Sequence, residues 1–163
     1  MLVALDVHYD EASLTGTAAA VAFADWADAV AAAEYRTTCR DIAPYAPGEF
    51  YRRELPCLLE VLALVREPID AIVIDGYVSL GDKPGLGTHL HDALQRKAPI
   101  IGVAKTRFHA AGAVEVLRGG SNAPLFVTTV NYDPMLAAEH IRAMHGPYRI
   151  PTLLKRVDRL SRS

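Results

Sequence analysis

The feature that most constrains the fold is the order in which two hydrophobic patterns follow each other along the chain. The first part of the chain contains three strand-like segments, at 2–7, 16–25 and about 31–39. Polar or Asp-rich turns separate them. Strands joined in this way are expected to pair as an antiparallel meander. Helical and strand-like spacing then alternate, which predicts helices at 50–66 and 86–97 and short apolar strands at 71–75 and 100–104.

This element order predicts an α/β protein. The order βββαβαβ is that of the RNase H-like fold, in which helices flank a mixed central β-sheet. Beyond it we predict a hairpin from 114–118 and 125–130, a helix from Pro134 to about His145, and a last helix after Pro151. With 163 residues and 51% apolar content, residues 1–163 are expected to form one domain.

Charge is distributed unevenly along the chain. The formal net charge is −2, but residues 1–93 carry 6 Lys and Arg against 15 Asp and Glu, whereas residues 94–163 carry 11 against 4. Contacts with phosphate groups are therefore expected mainly in the second part. The candidates there are Lys105, Arg107, Arg118, Arg149, Lys155 and Arg156. On charge alone, the simpler explanation of these basic residues is that they keep the surfaces of terminal helices solvated.

Membrane proteins, secreted proteins and zinc proteins are disfavoured by the sequence. No apolar run approaches the about 20 residues of a membrane span, and Met1 leads into a strand-like segment without a signal-peptide pattern. We therefore expect a cytoplasmic protein without a membrane partner, and by default a monomer. Cys39 and Cys57 lack Cys-x-x-Cys spacing, which predicts neither a disulfide scaffold nor a zinc site.

Acidic residues lie where the predicted fold would bring them together as a metal site. Asp6 and Asp75 each lie near or at the end of an apolar run, and the first and fourth strands of an RNase H-like sheet are central neighbours. Adjacent buried carboxylates need protons or a cation to compensate them, and hard oxygen ligands suit Mg²⁺ or Mn²⁺. Glu54, on the first predicted helix, is a candidate third ligand. Asp158, on the last, is expected to complete the cluster or to position the attacking water.

Two basic side chains are candidates for the same site. Lys105 follows the strand at 100–104 and is expected to pair with a phosphate oxygen, although an ordinary surface lysine explains it equally well. His8 shares the strand face of Asp6, so it is either a contact of the metal or phosphate or a half-exposed neighbour of the site.

A proline-rich turn precedes Glu54. Pro44 and Pro47 stiffen its backbone, Tyr45 offers a planar face, and Gly48 permits a close approach. Such an aromatic wedge could enter a base stack while a damaged base is extruded into a pocket. Taken alone, a Pro-Tyr turn is more often a structural element.

Taken together, these segments resemble endonuclease V over most of the chain. The family patterns Asp-Val-x-Tyr, Pro-Tyr-x-Pro-Gly, Arg-Glu-x-Pro and Asp-Gly match at 6–9, 44–48, 53–56 and 75–76. Gly-x-x-x-His, Ile-Gly-Val-Ala-Lys and Tyr-Arg-x-Pro match at 85–89, 101–105 and 148–151. The segment from the proline-rich turn to Glu54 is the most specific of these.

The resemblance implies a role for each matching residue. It makes Asp6, Glu54 and Asp75 ligands of Mg²⁺ or Mn²⁺, and Lys105 and Asp158 further catalytic residues. It also makes Tyr45 the wedge. It assigns contacts with a substrate that contains hypoxanthine to Pro47, Gly48, Gly76, Gly85, His89 and Arg149.

The chain departs from the family at three places. Gly81-Asp82-Lys83-Pro84 replaces a His-Pro-Arg segment, which leaves Lys83 as the one substitute near the phosphates. The Gly-His that usually ends the late strand is replaced around 131–133, and the chain starts close to Asp6, so we expect it to lack the family's N-terminal helix. These changes leave the predicted metal ligands in place and bear on the choice of substrate.

The resemblance thus implies a metal-dependent endonuclease that cuts DNA or RNA at the second phosphodiester bond 3′ of deoxyinosine or inosine, leaving a 3′-hydroxyl and a 5′-phosphate. Two alternatives stay open. One is an RNase H-like nuclease with another nucleic-acid substrate, and the other is a noncatalytic relative that binds nucleic acid.

Overall fold

The computed structural model describes residues 1–40, 42–44, 46–47, 49, 51–109 and 112–163. The seven-stranded sheet contains β1 Leu2–Asp10, β2 Thr15–Phe23, β3 Ala33–Cys39, β4 Ala71–Asp75, β7 Ile100–Ala104, β8 Val114–Val116 and β9 Leu125–Val130. A separate two-stranded sheet contains β5 Ser79–Leu80 and β6 Lys83–Pro84. The helices are α1 Tyr51–Leu62, α2 Leu86–Ala93, α3 Pro134–Ala143 and α4 Thr152–Arg162.

The sheet is mixed, as the sequence predicts. Its strand order is β3-β2-β1-β4-β7-β9-β8. The first three strands form the antiparallel meander, β1, β4 and β7 run parallel, and β9 pairs antiparallel with both β7 and β8. The first and fourth strands are therefore adjacent at the sheet centre, which confirms the neighbourhood expected for Asp6 and Asp75.

Helices cover both faces of the sheet. One core joins alternate side chains of the central strands to α3 and α4, and the other joins the remaining side chains to α1 and α2. Strand β2 lies between these two layers, and its alanines at 18, 19, 20 and 22 are all fully buried. Small side chains on both faces of β2 let α1 and α4 pack close to the sheet, so tertiary packing here overrides the helical preference of alanine.

The predicted elements are confirmed in kind, and several of their ends differ. Helix α1 ends at Leu62 rather than 66, and α2 ends at Ala93 rather than 97. The shorter α2 has a local cause, because Gln95 and Arg96 adopt positive φ angles of 59° and 58°. The small hairpin of β5 and β6 was not predicted, since two-residue strands carry no periodicity.

Polar side chains determine where α3 begins. Asp133 is its N-cap and accepts hydrogen bonds from the backbone N–H groups of Met135 and Leu136, and Pro134 stands in the first turn. This is the arrangement that the proline predicts, because a first-turn residue needs no N–H donor. Within the described residues, no helix is both long enough and apolar enough to cross a membrane.

Candidate active site

Two carboxylates meet at the centre of the sheet. In the parallel pair, Leu5 lies opposite Ile74, so Asp6 and Asp75 follow at the same end of β1 and β4. Side chains alternate along a strand, which places both acids on the sheet face that packs against α3 and α4. Asp6 is half-buried, whereas the Asp75 side chain is 44% exposed.

Two helices bring further acids to this point. Glu54 lies on α1, one turn before the buried Leu58, and Asp158 lies on α4 beside the buried Val157. The apolar neighbours anchor each helix to the sheet and thereby fix the direction of the acid. One cavity is lined by the side chains of all the predicted catalytic residues, Asp6, Glu54, Asp75, Lys105 and Asp158.

The acids are electrostatically coupled. Burial, and then the charge of Asp75, raises the pKa of Asp6 from 3.8 to about 7. Burial, followed by the charges of Asp75 and Asp6, also raises the pKa of Glu54 from 4.5 to about 7. For Asp158, burial alone would raise the pKa, but hydrogen bonds from Arg162 and from the Asp6 carboxyl hold it below its usual value. The Asp6 and Asp158 carboxyl groups therefore lie close enough to influence each other's pKa in opposite directions.

Lys105 contributes a positive charge to the cavity. Its Nζ lies 3.4 Å from Oδ2 of Asp75, and both side chains are 44% exposed. The loop that follows Lys105 is held by the Tyr77 hydroxyl, which donates to the Thr106 carbonyl at 2.6 Å and accepts from the Phe108 N–H at 2.9 Å. The lysine is therefore presented from an anchored backbone.

Arg149 also holds this backbone. Its guanidinium donates to the carbonyl oxygens of Lys105 at 2.6 Å, Ala123 at 2.9 Å and Pro124 at 2.9 Å. These bonds connect the loop after β7 to the turn before β9. A direct contact between Arg149 and substrate stays a prediction, because the hydrogen bonds seen here are all to backbone.

The other basic candidates occupy different environments. Arg118 is buried and donates to backbone carbonyl oxygens, so it is not available to a phosphate in this structure. Arg107 pairs with Glu115 at 2.5 Å, and Arg156 forms two hydrogen bonds with Glu34. Lys155 is exposed and lines a second cavity, beside Asp6, Asp75 and Asp158.

The predicted pocket glycines lie where backbone segments approach closely. Gly76 follows Asp75 with a φ of +122°, a conformation that side chains disfavour. The Gly76 carbonyl lies directly over Gly102, where a Cβ atom would collide with it. Gly85 is the N-cap of α2 and donates to the Val78 carbonyl at 3.0 Å, and a Cβ there would lie 2.8 Å from the same oxygen.

The remaining predicted substrate contacts are only partly described. The His89 ring stacks on the Tyr51 ring, with centroids 3.6 Å apart and planes 17° apart. Pro47 is exposed, whereas Tyr45 and Gly48 lie outside the described residues. His8 is exposed at the outer part of β1, and Lys83 is exposed on β6.

Three residues near the site were not predicted from the sequence. Arg53, next to Glu54, is 9% exposed, pairs with Glu11 at 2.5 Å, and places its guanidinium 4.3 Å from the centre of the Tyr9 ring. Tyr51 supports His89, and Arg162 donates to Asp158 at 3.1 Å. An arginine four residues after an acid on a helix is a readable signal for the last contact.

The donor atoms match a hard divalent cation in kind. Carboxylate oxygens are the ligands that Mg²⁺ and Mn²⁺ prefer, and burial, followed by the charges of neighbouring carboxylates, raises the pKa values of Asp6 and Glu54. In the part of the chain that the structure describes, no three His, Cys, Asp or Glu side chains are grouped tightly enough to hold a metal ion.

Comparison with known proteins relates this site to a family. A family model described as endonuclease V matches residues 1–133. Endonuclease V of Streptomyces avermitilis is 35% identical over 182 residues, which cover 97% of this chain and 77% of that protein. Endonuclease V of Streptomyces coelicolor is 32% identical over 182 residues, covering 98% and 76%.

Solved structures agree with these matches. A crystal structure of endonuclease V from Streptomyces avermitilis gives a TM-score of 0.82 at 31% identity and covers 99% of this chain and 79% of that one. Ciona intestinalis endonuclease V, crystallised with a 24mer DNA containing an inosine followed by a ribo-adenosine, gives 0.84 at 18% identity, covering 99% and 83%, and supports the fold alone. The RNase H-like fold is thereby confirmed, and the chain belongs to the endonuclease V family.

Proposed function

We propose that this protein is a metal-dependent endonuclease that hydrolyses the second phosphodiester bond 3′ of deoxyinosine or inosine and leaves a 3′-hydroxyl and a 5′-phosphate. The observation that carries the proposal is the convergence of four acids and Lys105 on one cavity at the end of the central strands. Membership of the endonuclease V family supports the same reaction.

Each acid has a role in the proposal. Asp6, Glu54 and Asp75 would hold Mg²⁺ or Mn²⁺, which supplies Lewis-acid polarisation of the phosphate and a lowered pKa of bound water. The pKa values of Asp6 and Glu54 near 7 mean that both groups must lose protons before they can act as ligands. Protons and the cation therefore compete for these carboxylates, so metal affinity should increase as pH rises towards 7.

Asp158 would act on the attacking water, whereas Lys105 would act on the phosphate. The pKa of Asp158 lies below its usual value, so this carboxylate is ionised at neutral pH and can orient the attacking water or accept its proton. The ammonium of Lys105 lies at the open side of the cavity, 3.4 Å from Asp75. From there it pairs with a phosphate oxygen and stabilises the charge that develops in the transition state.

Recognition of the damaged base would use groups beside the carboxylates. Gly76 directly follows Asp75 and is half-buried, and the stacked pair of Tyr51 and His89 offers an aromatic surface. Gly85 is buried, so its part in the pocket would be to let α2 pack against the Val78 carbonyl. We further propose that Tyr45, supported by Pro47 and Gly48, enters the base stack while inosine leaves it. Inosine as the lesion is carried over from the endonuclease V family to which the chain belongs, one member of which, from Ciona intestinalis, was crystallised with DNA containing an inosine.

End-labelled oligonucleotides test the proposal. Each would contain one deoxyinosine, one inosine or an unmodified adenosine, and each would be incubated with Mg²⁺ or with EDTA. We expect a metal-dependent nick one nucleotide beyond the inosine, and comparison of the two lesions decides between DNA and RNA. Asp75→Asn should abolish the nick, whereas Glu139→Gln, which removes an exposed charge on α3, should not.

Two other results would each support an alternative function. Metal-dependent cleavage without preference for inosine would identify an RNase H-like nuclease with another substrate. Binding of the oligonucleotides without any cleavage would identify a noncatalytic nucleic-acid binding protein. Substantial activity in Asp75→Asn would contradict the proposed metal site itself.

A further inference from the structure

Tyr148 is a large aromatic side chain that the fold leaves in solvent near the candidate active site. It is 68% exposed. The Lys155 ammonium lies 5.8 Å from the centre of the Tyr148 ring. Lys155 also lines the cavity that contains Asp6, Asp75 and Asp158. An exposed ring and an exposed cation therefore lie together at the rim of the carboxylate site.

Hydrogen bonds from one buried side chain hold the backbone that carries Tyr148, and we call this arrangement the clamp. The buried guanidinium of Arg118 donates to five carbonyl oxygens, those of Arg142, Met144, Gly146, Tyr148 and Arg149. The bonds to Met144 and Tyr148 measure 2.6 and 2.7 Å. Gly119 packs so closely that a Cβ atom there would lie 2.5 Å from the carbonyl carbon of Tyr148.

This clamp holds the base of the ring in a fixed place although the ring itself is in water. Arg118 orders this surface turn at a cost in free energy, because a charged side chain loses its hydration when it is buried. The same desolvation holds the pKa of Arg118 below its usual value. Preorganisation of an exposed aromatic side chain reduces the entropy lost when something stacks on it. The arrangement suits a binding surface better than it suits a loop of no function.

The local charge indicates what binds there. The segment that carries the ring is basic, with 11 Lys and Arg against 4 Asp and Glu in residues 94–163, and the exposed Lys155 beside the ring can pair with an anionic group. A nucleotide of a single strand offers both features that this surface can bind, a flat π-face and a negative charge. Aromatic side chains stack on unpaired bases regardless of sequence, and a neighbouring lysine pairs with the phosphate.

We propose that Tyr148 and Lys155 form a stacking platform for an unpaired base of the strand that enters the active site, with Lys155 bound to the adjacent phosphate. The proposal rests on the proposed nuclease function for the identity of that strand. It adds a subsite beyond the lesion pocket, on the α4 side of the carboxylates.

Binding measurements on Tyr148 variants test the platform. Fluorescence anisotropy in EDTA would give Kd values for a labelled single-stranded oligonucleotide with one deoxyinosine. Tyr148→Ala and Tyr148→Leu should weaken binding at least about fivefold, the lower end of the effect of losing one stacked base. Tyr148→Phe should stay close to the unchanged protein because it keeps the ring. Val30→Ala, at a position 80% exposed between β2 and β3, is the control for loss of surface apolar area.

An abasic scan identifies the partner of the ring. If Tyr148 stacks on one base, removing that base from the oligonucleotide should weaken binding to the unchanged protein and abolish the further penalty of Tyr148→Ala. Lys155→Gln should weaken binding to all sequences and lower the salt slope by about one phosphate contact. A penalty that persists at every abasic position, or a Tyr148→Leu variant that binds normally, would overturn the platform.

Cleavage separates this proposal from the nuclease function. With Mg²⁺ and saturating enzyme, Tyr148→Ala should cleave at the unchanged single-turnover rate and show only a raised KM. Normal cleavage and normal KM in Tyr148→Ala would remove the platform and leave the nuclease function intact. If the unchanged protein does not cleave but Tyr148→Ala still loses binding at one base, the nuclease function fails and the platform stands.

Discussion

Replacing Asp75 by Asn should inactivate the protein and at the same time stabilise its metal-free form at neutral pH. The two effects have one cause. Asp75 raises the pKa of both Asp6 and Glu54, second only to burial in each case. Without a cation, its charge therefore opposes the ionisation of two neighbours inside the fold.

The sign of the pH dependence follows from the direction of these shifts. Asp6 and Glu54 bind protons more tightly in the folded state than in the unfolded chain. Well below their ordinary pKa values of 3.8 and 4.5, the two groups are protonated in both states and cost nothing. As pH rises to about 7, the unfolded chain has released protons that the folded protein retains, so stability falls across this window and stays low above it.

The magnitude can be worked from the same values. Shifts from 3.8 and 4.5 to about 7 correspond to ~4 and ~3 kcal/mol at 1.36 kcal/mol per pKa unit. The two groups share their mutual repulsion and remain in partial contact with water, so we discount the sum to about 3 kcal/mol. Assigning a third of it to Asp75, and subtracting about 0.5 kcal/mol for the exposed contact with Lys105, leaves a gain of about 0.5 kcal/mol.

Urea unfolding in EDTA measures this gain. At pH 7.5 the midpoint of Asp75→Asn should lie roughly 0.2–0.4 M above that of the unchanged protein, for an m-value of about 2 kcal/mol/M. At pH 4 the gain should disappear, and Glu139→Gln should show no such pH dependence. Equal or lower stability of Asp75→Asn at pH 7.5 would refute the coupling of the three acids.

Three further results are expected. Tyr45→Ala should slow cleavage of duplex more than of single strands, because only a duplex requires wedging; equal losses in parallel assays would remove the wedge role. Arg149→Ala should lower stability by about 2 kcal/mol in urea unfolding and displace Lys105; unchanged stability would contradict its role in holding the loop, and a salt slope of binding reduced by about one would support the predicted contact with a phosphate. Gly102→Ala should cost about 1–3 kcal/mol, because its methyl group would meet the Gly76 carbonyl; calorimetry showing an unchanged Tm would contradict that close approach.

The candidate catalytic acids could be placed from the sequence because the order of the strands determines which strands are neighbours. Asp6 and Asp75 end two apolar runs, and the order of elements makes those runs adjacent in the sheet, as the register of β1 and β4 confirms. Glu54 and Asp158 lie on predicted helices that pack against this sheet, and the resemblance to endonuclease V singled them out. Periodicity therefore gave the strands and helices, whereas the resemblance gave the choice of acids on the helices.

The hydrophobic pattern does not record two features of the fold, the early end of α2 and the small hairpin of β5 and β6. The positive φ angles of Gln95 and Arg96 end α2 early, although the apolar spacing continues. The hairpin of β5 and β6 is too short to have a period. In both cases backbone conformation, rather than the alternation of apolar and polar residues, decides the structure.

The sequence by itself determined the order of strands and helices, the family, and the acids that converge at the sheet centre, because each of these depends on spacing along the chain. Only the tertiary structure decided what the arginines do. Arg118 and Arg149 read as phosphate ligands in a basic segment, yet both donate to backbone carbonyl oxygens that folding brings beside them. The partner of a long cationic side chain depends on which distant groups lack a hydrogen bond after folding, and no local pattern records that.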